Sequence, residues 1–231
     1  MAKLIEGLSR IAGDLLFPAQ CALCGTGGVL LCDACADALP RADGMRCDRC
    51  WTPVSGETLC SHCLAVPPSF SSLRGAFVMD GGARRLVHEL KYEGLTSLAV
   101  PMAARMAPLL VAVQSEILIP VPLHSSRERA RGYNQSAELA GHLTRITGVA
   151  CDRRALRRIR NTEPLAKTMH RDERRAIVAG AFAARRERVE RRRVLLVDDV
   201  VTTGATLDAC ARALLDAGAA DVRCVTWARA D

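Results

Sequence analysis

The stretch RVLLVDDVVTTGAT, Arg193 to Thr206, decides the fold. Val194, Leu195, Leu196 and Val197 form a short aliphatic run, which predicts a strand buried on both faces of a parallel sheet. Asp198 and Asp199 put two carboxylates at the carboxyl end of that strand. Thr202, Thr203, Gly204, Ala205 and Thr206 make a small, hydroxyl-rich turn. A helix follows, with apolar residues Leu207, Cys210, Ala211, Leu214 and Leu215 at helical spacing and Gly218 as its stop.

A small turn entering a helix suits an anion, because unpaired backbone N–H groups point outward and the helix dipole favours negative charge. The threonine hydroxyls add donors, and Gly204 lets the backbone approach a phosphate closely. Carboxylates repel phosphate, but they accept hydrogen bonds from sugar hydroxyls. The stretch therefore fits a ribose 5-phosphate. It is not a Walker A loop, since no lysine follows the glycine turn.

VLLVDDVVTTGAT resembles the phosphoribosyl-pyrophosphate (PRPP) motif of type I phosphoribosyltransferases. That resemblance implies that Asp198 and Asp199 hold the ribose hydroxyls and are the candidate catalytic residues. It implies that Val200, Thr202, Thr203, Gly204, Ala205 and Thr206 surround the 5′-phosphate. Mg²⁺ is the cation expected with PRPP.

A second buried strand is expected over Glu116 to Val121, ending in a polar, basic loop of Pro122, Leu123, His124, Ser125, Ser126 and RERARGYNQS. Ligands of open α/β sheets bind at such strand ends. Arg127, Arg129 and Arg131 are placed to meet a second anion, and Asn134 or Ser136 can cap a helix over Gln135 to Thr147. Further elements are a strand from Leu73 to Met79, a turn at Gly81-Gly82, a helix from Arg84 to Tyr92 and a last strand from Val222 to Trp227. A helix from about Ser97 to Val113 should split at Pro108. Lys91 stands at a helix end, where lysine commonly meets the dipole. Cys210 and Cys224 read as small core residues.

Eight of the eleven cysteines fall in four C-x-x-C pairs: Cys21/Cys24, Cys32/Cys35, Cys47/Cys50 and Cys60/Cys63. Two such pairs make a tetrahedral zinc site, and all-cysteine sites are structural, so two zinc ions are expected. Sequential pairing costs the least loop entropy; an interleaved cross-brace is the alternative. His62 reads as an exposed neighbour. The segment has too few large aliphatics to fold without metal. Residues 3 to 16 have the spacing of an amphipathic packing helix.

PVPLH with RERARGYNQ, together with LKYEG and the FPAQCALCG entry to the cysteines, resembles the ComF-type competence proteins. In order along the chain, these motifs cover it from about Leu15 to Arg229. The resemblance implies a double zinc-ribbon domain (1–68) and a phosphoribosyltransferase-like α/β domain (69–231), a parallel sheet flanked by helices. It adds Lys91, Pro122, Leu123, His124 and Arg131 to the PRPP contacts, and makes the polar connector from Arg160 to Phe182 the candidate for the mobile loop. Its functional implication is the handling of single-stranded DNA in natural transformation, with a DNA-uptake or helicase partner. The alternative is an active transferase releasing pyrophosphate to an unknown acceptor.

Bulk properties agree. The net charge of +7 is clumped in arginine clusters at 153–160 and 185–193. Such clusters suit polyanions, although the second, interspersed with Glu187 and Glu190, reads as a solvated helix face. Aromatics are only 3% of the chain, too few for an extended base-stacking platform. No run is long and apolar enough for a membrane span, and no secretory signal is evident, so a cytoplasmic protein is expected.

Overall fold

A computed structural model describes residues 19–111, 113–162 and 171–230. The expected helix over 3 to 16 and part of the connector lie outside them. The cysteine-rich segment carries two short helices, α1 (Asp33–Asp37) and α2 (Ser61–Ala65), each just after the first cysteine of a pair. Strand β1 (Ser72–Val78) follows, then α3 (Gly81–Tyr92), α4 (Ala99–Met106), β2 (Ile117–Pro120), α5 (Ser125–Arg131) and α6 (Gln135–Thr147). The chain continues with β3 (Leu156–Arg158), α7 (Arg171–Val178), β4 (Phe182–Ala184), α8 (Arg186–Val189), β5 (Arg193–Val201), α9 (Ala205–Asp216) and β6 (Asp221–Arg229).

The central sheet has four strands in the order β1-β6-β5-β2, and every pairing is parallel. Successive residues of β5 serve opposite faces, as strand geometry requires. Val194 and Leu196 pack with Leu207, Cys210 and Leu214 of α9. Leu195 and Val197 pack with Leu86, Met102 and Leu139 of α3, α4 and α6. The expected parallel sheet flanked by helices is therefore present, with an aliphatic core on each side.

Four expectations are corrected. The helix drawn from Arg84 starts at Gly81, although Gly81 itself keeps a turn-like φ of 44°. At Gly82 an added Cβ would meet the methyl ends of Leu23 and Leu39 at 2.9 Å, so the first ribbon presses closely against α3 and these two side chains would have to shift for a larger residue. The basic run after β2 is a helix, α5, capped by His124 and ended by Gly132 at φ 86°. The connector holds α7 and β4, and β4 pairs antiparallel with β3 in a separate two-stranded sheet. His62 is half-buried rather than exposed. Pro108 splits its helix as expected: α4 ends at Met106 and a 3₁₀ turn covers Ala107–Leu110.

The cysteine-rich segment lies along the β1 edge. Ala42 donates to Ala76 O (3.1 Å), Val78 to Pro40 O (2.7 Å) and Leu73 to Arg49 O (2.8 Å). At the opposite edge, Leu118 of β2 donates to Ala150 O, and its own carbonyl accepts from Asp152 N. Among the described residues, no helix is long and apolar enough to cross a membrane.

Candidate functional site

Strand β5 does not stop before its acids; it carries Asp198 and Asp199 within the ladder, both buried. Burial of two adjacent carboxylates is costly without partners, and the start of α6 supplies them. Asn134 caps α6 through Ser136 N (3.0 Å) and donates to Val121 O (3.0 Å), which ties that helix start to the end of β2. Ser136 Oγ then donates to Asp198 Oδ1 at 2.7 Å, and Gln135 Nε2 to Asp199 Oδ1 at 3.3 Å. Lys91 Nζ, at the end of α3, lies 2.5 Å from Asp199 Oδ2. Arg131 donates to Gln135 Oε1. A chain of contacts thus runs Arg131–Gln135–Asp199–Lys91.

These environments drive the two acids apart. Burial, and then the charge of Asp199, raise the Asp198 carboxyl to about 7 against the opposing Ser136 hydrogen bond. Burial would also raise Asp199, but Lys91, joined by hydrogen bonds with Asp198 and Gln135, holds this carboxyl below its ordinary value. Burial opposes the charge on Lys91 in turn, and Asp199 restores it. The pair is one ionised, cation-paired carboxylate beside one that titrates near neutrality.

After Val201 the chain turns through Thr202, Thr203 and Gly204, whose φ is 81°, into the α9 N-terminus. The concavity there, about 40 Å³, is lined by Asp198, Thr202, Thr203, Gly204, Ala205 and Thr206. Phe70 packs beneath Gly204, and Ser69 N donates to Asp208 Oδ1 at 2.6 Å, anchoring the turn from below. From the connector, the buried Arg174 donates to Thr202 Oγ1 at 2.9 Å. On the Lys91 side lies an open cleft of about 550 Å³, lined by Lys91, Tyr92, Arg127, Ala130, Arg131 and Tyr133.

The cysteines gather in sequence order. Cys21, Cys24, Cys32 and Cys35 form one group and Cys47, Cys50, Cys60 and Cys63 another, with the sulfurs of each group within 4.8 Å of one another. Tetrahedral zinc–thiolate bonds of about 2.3 Å require nearly the separations seen: Cys24 and Cys32 Sγ are 3.6 Å apart, as are Cys50 and Cys60. Burial alone would push the Cys21 thiol up, yet backbone N–H groups of Cys32, Cys24 and Leu23 bring it down to about 6. Cys47 is lowered to about 6 in the same way. Cys35 and Cys63 move the other way, Cys35 through the neighbouring Cys24 and Cys32 thiols and Cys63 through burial and Cys50, so each group mixes lowered and raised thiols. The gathering of four sulfurs is what fits zinc. The two groups repeat each other: Cys21 N donates to Thr26 O and Cys47 N to Thr52 O, both at 2.8 Å. Where the first repeat has Gly25 at φ 79°, the second has Trp51 at φ 64°, with the Arg74 guanidinium of β1 stacked 4.4 Å from its ring centre.

Residues 12–64 match the double zinc ribbon domain, and residues 94–230 the phosphoribosyl transferase domain. The DNA utilization protein YhgH of Salmonella typhimurium is 31% identical over 221 residues, covering 90% of this chain and 96% of its own. Competence protein F of Haemophilus influenzae is 29% identical over 184 residues, covering 74% of this chain and 78% of its own. Competence protein ComFC of Bacillus subtilis is 26% identical over 199 residues, 82% of this chain and 80% of its own. The chain belongs to the ComF family.

In this ComF-family chain the anticipated residues fall at one end of the sheet. Asp199 touches both Lys91 and Asp198, and the turn from Thr202 to Thr206 adjoins the pair. Pro122 and Leu123 form the link from β2 to α5, and Val200 is half-buried. His124 is occupied locally: its Nδ1 accepts from Ser126 N (3.3 Å) and is 2.8 Å from Ser126 Oγ. Arg131 lines the cleft with its guanidinium 5.5 Å from the Tyr92 ring centre. Arg129 is exposed, and Arg127 donates to Thr162 O at 2.5 Å. Sequence reasoning missed Gln135 and valued Ser136 only as a cap. The signal was the polar YNQS run at a helix start; its pairing with the acids needs the three-dimensional register of α6 on β5.

Proposed function

We propose that this ComF-family protein binds PRPP at the end of β5 and uses that site in handling single-stranded DNA during natural transformation, in the cytoplasm. What carries the ligand assignment is the pinned carboxylate pair directly before a glycine turn and helix N-terminus. Asp198 and Asp199 are held at fixed positions by Ser136, Gln135 and Lys91, beside the turn where a ribose would lie, and ribose hydroxyls would take over part of these contacts. The 5′-phosphate then meets the N–H groups of the α9 start. The pyrophosphate is directed toward the cleft of Lys91, Arg127 and Arg131.

Mg²⁺ fits this arrangement as a cation carried by the ligand's pyrophosphate. Lys91 already pairs with the buried Oδ2 of Asp199, so the protein's carboxylates are poorly placed to hold a metal themselves. When bound, the ion would neutralise charge on the pyrophosphate oxygens.

The DNA role is carried to this chain from its relatives' names, and supported by the net charge of +7 and the exposed arginines. Reduced cysteine knuckles agree with a cytoplasmic setting. A second role is favoured by the open cleft beside Lys91: a transferase in which an acceptor attacks the ribose C1 and pyrophosphate departs toward Arg127 and Arg131. In that role Asp198 and Asp199 orient the ribose, and no described side chain stands out as a general base.

Calorimetric titration with PRPP and Mg²⁺ tests the ligand. Micromolar binding that is lost in Asp198→Asn with Asp199→Asn supports it, and no binding to the wild type refutes it. A fluorescent single-stranded oligonucleotide titrated at increasing salt tests the DNA role, where affinity should fall steeply as counterions compete. A helicase or uptake-machinery partner would be sought by crosslinking in competent cells. Pyrophosphate release in a panel of bases and amines separates the enzyme from the binding protein.

A further inference from the structure

The phosphate turn has a charge problem that its own residues do not solve. A ribose 5-phosphate brings nearly two negative charges next to Asp198 and Asp199. Thr202, Thr203, Gly204, Ala205 and Thr206 contain no cation, and Lys91 is committed to Asp199. The helix dipole of α9 supplies only about half a positive charge.

Arg174 is the cation positioned to correct this. It is carried by α7, far from the motif in sequence, yet it is only 7% exposed and its Nη1 reaches Thr202 Oγ1 at 2.9 Å. Its neighbour Arg175 pairs with Asp208 Oδ2 at 3.4 Å, in the first turn of α9. Asp208 also accepts from Ser69 N, so α7 is fastened to a rigid base. Two consecutive arginines therefore do different jobs: Arg175 holds the helix, while Arg174 presents a guanidinium at the rim of the turn. A guanidinium recognises phosphate oxygens through paired, charge-assisted hydrogen bonds, and burial strengthens them.

Resting on the assignment of ribose phosphate to this turn, we propose that Arg174 is a 5′-phosphate ligand and sets the preference for phosphorylated over unphosphorylated ribose. In the free protein its Nη1 bonds to the Thr202 hydroxyl; with phosphate present, the guanidinium and that hydroxyl both donate to the ligand. This gives the connector a place in recognition that the local motif does not encode.

The test compares wild type, Arg174→Gln, Arg174→Lys and Arg175→Gln by calorimetry, with ribose 5-phosphate as the main probe and Mg²⁺-pyrophosphate as the probe of the Lys91 side. Arg174→Gln should weaken ribose 5-phosphate roughly 10- to 100-fold, with pyrophosphate changed less than about twofold. Arg174→Lys keeps the charge but not the fork and should lose about tenfold. Arg175→Gln should stay within about threefold. If wild type binds ribose 5-phosphate and Arg174→Gln binds it equally well, Arg174 is not a ligand, while ribose-phosphate binding stands. Equal loss of both probes also overturns the proposal, since it marks a general distortion. If wild type binds neither ribose 5-phosphate nor PRPP, the ligand assignment itself falls and the role of Arg174 with it. Should Arg174→Gln fail to fold, Arg174→Lys decides: unchanged ribose 5-phosphate affinity overturns the proposal.

Discussion

Replacing Asp198 with asparagine removes a carboxyl that the fold holds in an unfavourable place. The carbonyl oxygen of asparagine can keep the bonds that Asp198 Oδ1 accepts, from Ser136 Oγ at 2.7 Å and Asp199 N at 2.9 Å, so geometry is conserved. What changes is the ionisation. Burial first, and Asp199 second, raise this carboxyl from 3.8 to about 7. At about 1.4 kcal/mol per pH unit, that displacement costs the ionised form on the order of 4 kcal/mol. Between the two values the unfolded chain has lost its proton while the folded chain retains it, so this group's stabilising contribution is present at low pH and is lost as pH rises toward 7. The variant escapes that loss. Urea unfolding of both proteins across about pH 4 to pH 8 should show near-equal stability at the acid end. A gap favouring Asp198→Asn should open up to about pH 7, reaching roughly 4 kcal/mol, and stay flat above it. A gap of constant size at every pH, or one favouring wild type near pH 8, would refute the reasoning. Ligand binding should move in the opposite sense, with asparagine weakening PRPP because it accepts fewer ribose hydroxyl bonds.

Lys91→Met leaves Asp199 buried without its cation and should destabilise the protein by about 3–5 kcal/mol near neutrality. Because Lys91 holds the Asp199 carboxyl below its ordinary value, that stabilisation exists above about pH 4 and is lost as pH falls; the variant's deficit, read from unfolding curves, should shrink in acid. Zinc analysis should find about two ions per chain, falling to about one in Cys24→Ala. Cys50→Ala should lower the melting temperature more than Cys24→Ala, because Cys50 lies buried in the core beneath α9 while Cys24 is exposed.

Much of the fold could be read in advance because its signals are local. The aliphatic run at 194–197 has the length and flanks of an interior strand, and Gly148 follows a helix of evident period. The sequential grouping of cysteines follows from short loops, though spacing alone left the interleaved pairing open. The site was half legible. Asp198 and Asp199 announce themselves as adjacent carboxylates, and Arg174 reads from the connector only as a possible phosphate or DNA contact, whereas its place at Thr202 and that of Gln135 at Asp199 need α7 and α6 to be docked. The basic run 125–131 reads as a loop because all its residues but Ala130 are polar and none becomes buried; it folds as a helix through the local cap of His124 and the stop at Gly132. Trp51 is the clearest concealed feature. Nothing in the sequence marks a tryptophan as a left-handed residue, and its place is evident only from the repeat of Gly25 and the stacked Arg74.

The ribbon segment that lies along β1 carries a consequence for solution behaviour. An uncovered edge strand offers its free amide and carbonyl groups to any other chain, and here those groups are bonded to residues 40–49. That cover is held in shape by thiolate knuckles, so stripping zinc would bare a strand reading Ser-Leu-Arg-Gly-Ala-Phe-Val at the border of an otherwise intact sheet. The metal's second service is then to keep one copy of the molecule from templating onto the next. Chelated protein should grow into assemblies through β1 before its central sheet unfolds.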